Sequence, residues 1–346
     1  MNKELLYQKL GEWYEQNHRI LPWRETDDPY KIWISEIILQ QTRVAQGMEY
    51  YHRLVTRFPD IQSLADAEED EVLLYWQGLG YYSRARNLHK AAQLMKNHEI
   101  FHLSNVECLK LKGEEIFAAL KSMPGVGDYT AGAIASFAFD LPYPALDGNV
   151  YRVLSRLYDC EIAFDTTQGK KHFRKLAEDL LDRERPRLFN SAIMELGALH
   201  CVPTAPDCHA CPLNTWCKAL ANNTVELLPV RKPRPKVRDR YLEYTIYITP
   251  ERTTLIHQRK GNDIWKHLWE FVCAERTSEE AKGEKILELT HVLSHQKLHA
   301  RFVIKNVSEL PEIPDSVVVS LSDLDNYAFS RLTLNAIEKL LITYPS

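Results

Sequence analysis

The chain has 346 residues, enough for two domains that each bury a core of their own. It is 45% hydrophobic and 26% charged, and no apolar run reaches the length of a signal peptide or a bilayer span, so we expect a cytoplasmic protein. The formal net charge of −4 excludes a surface that is basic throughout, so any nucleic-acid binding must be local.

The first informative segment begins at Asp28–Pro29, a favourable helix start because Asp caps free amides and Pro loses no hydrogen bond there. From this point the apolar spacing predicts one long helix that reaches Val55. Glu36 lies opposite the main apolar stripe, yet apolar residues flank it on its own side as well. We therefore predict that Glu36 is buried and that its pKa is raised. The alternative is a buried glutamate paired with a cation such as Arg43.

The next motif is a turn between two predicted helices, the second of which runs towards Phe139. Two glycines separated by one residue allow a tight turn and leave backbone amides uncovered, and the following helix points its positive end the same way. The pattern predicts a phosphate-binding turn, although Pro-Gly turns between helices are common. Its residues are Pro124, Gly125, Val126 and Gly127.

Asp147 precedes a helix predicted from the spacing of Val150, Val153 and Leu154. It is either a plain capping residue or a functional carboxylate at a helix N-terminus, which would lower its pKa. Glu36 and Asp147 would then be shifted in opposite directions. Such a pair is typical of glycoside cleavage, in which one acid protonates the leaving group and the other faces an oxocarbenium ion.

Four of the seven cysteines lie close together as Cys201-x6-Cys208-x2-Cys211-x5-Cys217. In a reducing compartment this clustering indicates a metal site rather than disulfides. Four thiolates suit either tetrahedral zinc or an iron–sulfur cluster, and the residues alone do not separate the two.

The chain changes character after about residue 222, where helical spacing gives way to the alternation typical of strands from Tyr241 onward. Between them, Val230–Arg240 carries two prolines and six basic residues against one acid, typical of an extended linker that could also contact phosphate. We predict a helical catalytic domain over 1–222, a basic linker over 223–240 and a strand-rich domain over 241–346.

These motifs together resemble the helix-hairpin-helix DNA glycosylases and, within them, the MutY family of adenine DNA glycosylases. The resemblance covers nearly the whole chain, with the more specific motifs in the first 220 residues. It implies a multidomain protein, with an all-α helix-hairpin-helix glycosylase domain that carries an iron–sulfur cluster loop, followed by an α+β Nudix-like domain. It also implies hydrolysis of the N-glycosidic bond of adenine mispaired with 8-oxoguanine or guanine in double-stranded DNA. Nothing in the sequence suggests more than a monomer.

The resemblance assigns roles to the catalytic motifs. Ser35–Thr42 is similar to the family's catalytic helix, so Glu36 is expected to protonate the adenine and later to activate water. Asp147 is expected to stabilise the sugar cation, with Asn149 as its polar neighbour. Tyr129 stands where endonuclease III-like relatives carry a Schiff-base lysine, which implies base excision without efficient strand cleavage. Its phenol is expected to hydrogen-bond near Glu36 or Asp147.

Further residues are implied by the resemblance as ligands of the cofactor and of DNA. The cysteine spacing is similar to that of the family's 4Fe-4S cluster, which shapes a DNA-binding loop. Leu21, Trp23 and Arg24 resemble the segment that lines the adenine pocket. Gln41 and Tyr81 match positions that fill the gap left by the extruded base, a step required of an enzyme that acts on a stacked base. The turn Pro124–Gly127 matches the hairpin that grips backbone phosphate.

In the strand-rich domain, Ser294 and His295 resemble a loop that reads 8-oxoguanine. Leu293 stands where the family has an aromatic residue, and Ser191 stands where some relatives have Glu or Gln near the adenine. Glu275–Glu288 lacks the acidic array of true Nudix hydrolases, which implies binding without hydrolysis. Two alternatives remain open at this point: a G:T mismatch thymine glycosylase, and a non-catalytic cluster-bearing DNA-binding protein.

Overall fold

The computed structural model describes residues 2–102, 112–233, 237–276 and 287–343, with side chains up to residue 339. The middle of the predicted linker, 234–236, and most of the acidic segment, 277–286, lie outside the described residues. The α-helices of the described part are α1 Lys3–Asn17, α2 Pro29–Leu39, α3 Val44–Arg57, α4 Ile61–Ala65, α5 Glu69–Trp76, α6 Ser83–Met95, α7 Gly113–Ser122, α8 Asp128–Phe139, α9 Gly148–Tyr158, α10 Thr167–Leu180, α11 Pro186–Leu199, α12 Lys218–Ala221 and α13 Arg331–Thr343. None of these helices is both long and apolar enough to cross a membrane.

By their contacts the residues divide into two compact units that do not follow the chain linearly. The first unit comprises Met1–Gly47 and Leu94–Pro233, and the second comprises Met48–Gln93 and Arg234–Ser346. The helical segment 48–93 therefore groups with the strand-rich residues and not with the helices that precede and follow it in sequence.

In the first unit, α2 packs against α8, and α9 packs against α11. The amphipathic spacing of α9 buries Val150, Leu154 and Leu157 in a core that also includes Phe173 and Leu196. This packing brings the helix that carries Glu36 against the helix that carries Tyr129, and it fixes the N-terminus of α9.

The predicted long helix from Pro29 is wrong, because the chain leaves the helical conformation after Leu39. Gln41 has a φ of +60°, in the left-handed region, and the next helix begins at Val44. No Gly or Pro marks this break in the sequence, so the apolar periodicity runs through it unaltered. The predicted helix start is confirmed, since Asp28 accepts hydrogen bonds from the amides of Tyr30 and Lys31.

The second unit contains two sheets, ordered β4-β1-β6-β5 and β3-β2-β7. Their strands are β1 Arg238–Ile248, β2 Thr253–Gln258, β3 Trp269–Glu270, β4 Val272–Arg276, β5 Leu287–Val292, β6 Gln296–Asn306 and β7 Ser316–Ser320. The strand-rich pattern predicted from Tyr241 is confirmed, but β1 begins three residues earlier because Arg238 already pairs in parallel with Gln296. Alternate residues of β1 and β6, including Tyr244 and Phe302, bury one face in the core.

Candidate active site

Glu36 lies in the middle of α2 and is 5% exposed, as its apolar surroundings in the sequence predict. Burial raises the pKa of this carboxyl to about 7, and it does so against a hydrogen bond from Tyr129 and the positive charge of Arg24, which both lower the pKa. Arg24, rather than Arg43, is thus the cation that acts on Glu36. A carboxyl with this pKa is available as a proton donor near neutral pH.

Tyr129, in the first turn of α8, donates a hydrogen bond from its hydroxyl to Oε2 of Glu36 at 2.7 Å. Burial and the nearby Glu36 charge raise the pKa of the phenol well above its usual range, so Tyr129 remains a neutral donor. The predicted contact of the phenol with Glu36 is confirmed. A tyrosine at this position cannot form the imine that a lysine would form.

Asp147 caps α9, as predicted, by accepting a hydrogen bond from the amide of Val150 at 2.8 Å. Asn149 Nδ2 donates to the other carboxylate oxygen at 2.7 Å. The predicted lowering of the Asp147 pKa is nevertheless wrong: burial raises this pKa, although both hydrogen bonds and the charge of Arg152 oppose the change. Desolvation of this carboxyl therefore exceeds the stabilisation that the cap supplies.

The two carboxyl groups lie within electrostatic reach of one another. The charge of Asp147 contributes to the raised pKa of Glu36, and both acids contribute to the raised pKa of Tyr129. Glu36 and Asp147 are 111 positions apart in sequence but belong to one site, in which Tyr129 contacts the first acid and Asn149 the second.

Arg24, Leu21 and Trp23 come from the segment before α2. Leu21 and Trp23 are each 4% exposed, and the guanidinium of Arg24 lies 5.3 Å from the ring centre of Phe137. Arg24 and the buried Ser191 also line a cavity of about 400 Å³. Leu188 is the one aliphatic residue among the described residues that line this cavity. The other lining residues are polar or charged: Tyr14, His18, Glu25, Asp140, Arg185 and Arg187.

The predicted phosphate-binding turn connects α7 to α8. Gly125 has a φ of +79°, which a side chain would disfavour, and Gly127 faces open space. Val126 is buried and anchors the turn, while Gly125 and Gly127 are exposed. The exposed backbone thus precedes the N-terminus of α8, the arrangement that suits an anion.

All four cysteines of the Cys201–Cys217 segment line one small cavity beneath α9. Burial, together with the charges of the other three thiols, raises the pKa of the Cys211 thiol to about 12. Among the described residues, no three His, Cys, Asp or Glu side chains stand close enough to hold a single metal ion.

Arg152 is a residue that the sequence analysis missed. Its Nε donates to the carbonyl of Cys201 at 2.7 Å, and one terminal nitrogen donates to Asn149 Oδ1 at 3.0 Å. Arg152 lies three residues after Asn149, so the two side chains lie on the same face of α9. This spacing was the feature of the sequence that could have identified Arg152. Arg156, one turn further, donates to Cys201 Sγ at 3.4 Å.

The two residues predicted to fill the gap in the base stack, Gln41 in the first unit and Tyr81 in the second, are both exposed. Gln41 and Tyr81 have φ values of +60° and +49°, which non-glycine residues rarely adopt. Ser294 and His295 form the exposed turn between β5 and β6, where Ser294 Oγ lies 3.3 Å from Nδ1 of His295. Such strained or exposed positions are typical of functional loops.

Comparison with protein families matches both parts of the chain. Residues 34–182 match the model of the HhH-GPD superfamily of base excision DNA repair proteins, and residues 244–339 match the NUDIX domain. The first match contains Glu36, Tyr129 and Asp147. Fold and site thus define an HhH-GPD glycosylase with a C-terminal Nudix-like domain.

Comparison with individual proteins narrows the class. The chain is 34% identical over 317 residues to an adenine DNA glycosylase of Buchnera aphidicola subsp. Baizongia pistaciae, covering 86% of this chain and 85% of that protein. It is 39% identical over 239 residues to the adenine DNA glycosylase of Mus musculus, covering 66% of this chain and 44% of that protein. The chain belongs to the adenine DNA glycosylase family, whose reaction is base excision in DNA repair. An enzyme of this family is neither of the two alternatives left open by the sequence.

Solved structures agree on the fold. A thermostable thymine-DNA glycosylase aligns with a TM-score of 0.55 at 24% identity, covering 64% of this chain and 97% of that one. A non-covalent endonuclease III–DNA complex aligns with a TM-score of 0.51 at 21% identity, covering 65% and 99%. At these identities the likeness concerns the fold alone.

Proposed function

We propose that this enzyme removes adenine mispaired with 8-oxoguanine, or with guanine, from double-stranded DNA, with Glu36 as general acid and Asp147 as the stabiliser of the sugar cation. The observation that supports it most is that Glu36, with a pKa of about 7, and the capped Asp147 lie in electrostatic contact beside Tyr129. One acid can then donate a proton while the other faces positive charge.

In the proposed mechanism, Glu36 transfers its proton to the adenine ring as the N-glycosidic bond breaks, and the bonding electrons leave with the base. The sugar becomes an oxocarbenium ion, which the Asp147 carboxylate stabilises. Asn149 holds that carboxylate by its 2.7 Å hydrogen bond. Glu36, now ionised, removes a proton from the water that adds to the sugar carbon, and this step restores its protonated form. Tyr129 offers no amine, so the reaction ends at the abasic site without strand cleavage.

Adenine is a normal base, so selectivity requires that the base opposite be read. We assign this reading to the exposed turn of Ser294 and His295, whose hydroxyl and imidazole offer hydrogen-bond groups to a base edge. Leu293 packs on the core of the second unit, so it anchors the turn rather than stacking on a base. Ser191 reaches the Arg24 cavity with a short side chain, which leaves room there where some relatives place a longer one.

The four cysteines are proposed as ligands of a 4Fe-4S cluster. They line a common cavity, and their spacing in the sequence is similar to that of the family's cluster ligands, which supports this proposal. When bound, the cluster would shape the Cys201–Cys217 loop for DNA and would take no part in the chemistry on the base. We further propose that the protein acts as a monomer on chromosomal DNA in the cytoplasm.

Excision assays on matched duplexes test the proposed function. Wild-type protein should release adenine from 8-oxoguanine:A faster than from G:A and should leave G:T intact. Glu36→Gln should bind the duplex but release no base, whereas Glu161→Gln, at an exposed position of the same unit, should match wild type. Release of thymine from G:T, or full activity of Glu36→Gln, would refute the assignment.

A second experiment addresses the cofactor. Purified protein should contain about four iron and four acid-labile sulfide atoms per chain, and Cys211→Ser should lose them together with DNA affinity. Stoichiometric zinc without sulfide would contradict the proposal. Because DNA binding through backbone phosphates releases counterions, affinity should also fall steeply with salt.

A further inference from the structure

The loop from Gln77 to Tyr82, between α5 and α6 in the second unit, is held in conformations that side chains rarely adopt. Gly78 and Gly80 have φ values of +94° and +77°, and Tyr81 follows with +49°. Tyr81 is 46% exposed, whereas its neighbour Tyr82 is 4% exposed. A non-glycine residue at positive φ persists only where surrounding contacts determine its conformation.

Those contacts come first from the neighbouring helices. Tyr50 donates from its hydroxyl to the carbonyl of Gln77 at 2.8 Å, and Trp76 Nε1 donates to the carbonyl of Gly80 at 3.0 Å. The guanidinium of Arg84 donates to the same Gly80 carbonyl at 3.2 Å and lies 5.5 Å from the ring centre of Tyr81. The backbone of the loop is therefore fixed on the side of the helices.

A second set of contacts comes from the strand-rich part of the same unit and converges on Phe329. The hydroxyl of Tyr82 accepts from the amide of Gly78 and donates to the carbonyl of Phe329, both at 3.1 Å. The amide of Phe329 donates to Oε1 of Gln77 at 2.7 Å. Both backbone groups of one residue thus bind side chains of the loop. Phe329 is fully buried and stacks on Phe271, so it is a rigid partner.

Residues 265–271 include Phe271, which stacks on Phe329. The same residues also contact β5, the strand that leads into the turn proposed to read the base opposite adenine. Trp265 contacts the ring of His291, in β5 just before that turn, with ring centres 5.8 Å apart. In the same segment, the carbonyl of Lys266 accepts from Arg86 at 2.7 Å, and His267 pairs with Glu69. These contacts link β5, the strand that leads into the turn at Ser294 and His295, to α5 and α6, the helices on either side of the loop that carries Tyr81.

We propose that Gln77 and Tyr82 are positioning residues that fasten the Tyr81 loop to Phe329, so that insertion of Tyr81 into the base stack and reading of the opposite base are carried out by one rigid body. The inference rests on the proposed function, because it takes Tyr81 as the inserting residue and the Ser294–His295 turn as the reader. It explains why 48–93 groups with the strand-rich residues and not with the helices that carry the catalytic acids.

Single-turnover excision from 8-oxoguanine:A and from G:A tests this inference with two variants. Tyr82→Phe removes only the shared hydroxyl, and Gln77→Met replaces the side-chain amide, whose oxygen is the acceptor, by a thioether of similar length. Each should slow excision from 8-oxoguanine:A about tenfold, since an ordered hydrogen bond is lost at a strained loop. Excision from G:A, where the lesion contact is absent, should change less, so the ratio of the two rates should fall. Tyr247→Phe, on β1, is the matched control and should leave both rates and the melting temperature unaltered.

A double-mutant cycle separates positioning from general destabilisation. If Tyr82 acts through Tyr81, then Tyr82→Phe should have no further effect once Tyr81→Ala is present. An equal loss in that background, or an equal loss on both duplexes, would overturn the inference. A wild-type protein that excises adenine from neither duplex would overturn the proposed function itself, whereas a Tyr82→Phe protein that keeps both wild-type rates would overturn only the positioning role.

Discussion

Replacing Tyr129 by phenylalanine removes the one hydrogen bond that the phenol donates to Glu36, and this should move the pH dependence of excision in a direction the structure specifies. In the wild type, burial raises the pKa of Glu36 to about 7, and the Tyr129 hydroxyl holds it below the value that burial alone would impose. A hydrogen bond to a charged group contributes about 1.5–3 kcal/mol. At about 1.36 kcal/mol for each pKa unit, its loss should raise the Glu36 pKa by about one to two units.

The measurement is kcat/KM for adenine release as a function of pH, which reports the free enzyme. Because protonated Glu36 is the active form, activity should fall as pH rises through its pKa. At pH 8 only about one tenth of wild-type Glu36 is protonated, against about half or more in Tyr129→Phe. The alkaline limb of the pH profile should therefore shift to higher pH in Tyr129→Phe, even if the absolute rate drops. The control variant Tyr158→Phe should leave the limb at the wild-type pH. An unchanged or lowered midpoint would refute the reasoning.

Other predictions concern the same group of residues. Glu36→Gln should be more stable to unfolding than wild type above pH 7, by up to about 3 kcal/mol. A raised carboxyl pKa destabilises the folded state as pH rises from the ordinary glutamate pKa towards 7, and glutamine does not ionise. Equal urea midpoints of the two proteins at pH 8 would contradict this. Asp147→Asn should keep the cap of α9 and unfold within about 1 kcal/mol of wild type, yet lose about 10²-fold or more in excision rate. Tyr129→Lys should gain strand cleavage, and failure of sodium borohydride to trap a protein–DNA adduct would show that position 129 does not face the sugar.

The features that could be predicted from the sequence are those that depend on a few neighbouring residues. The cap at Asp28, the cap at Asp147 and the burial of Glu36 each follow from side chains within about one helical turn. The cysteine spacing and the change from helical to alternating periodicity are equally local. These signals were sufficient to predict a helical part followed by a strand-rich part and to single out the two acids as candidates.

Tertiary packing decided what local patterns could not. The helix ends at Leu39 and Gln41 adopts a left-handed conformation, although no Gly or Pro in the sequence announces this break. The pKa of Asp147 rises because the folded protein desolvates this carboxyl, an effect that a helix wheel does not contain. Likewise, residues 48–93 group with strands that lie more than 140 positions later in the chain. Capping and periodicity act over a few residues, whereas burial and hydrogen bonds between distant residues exist only once the chain has folded. For this reason the sequence determined the chemical groups, and the tertiary structure determined their charge and their partners.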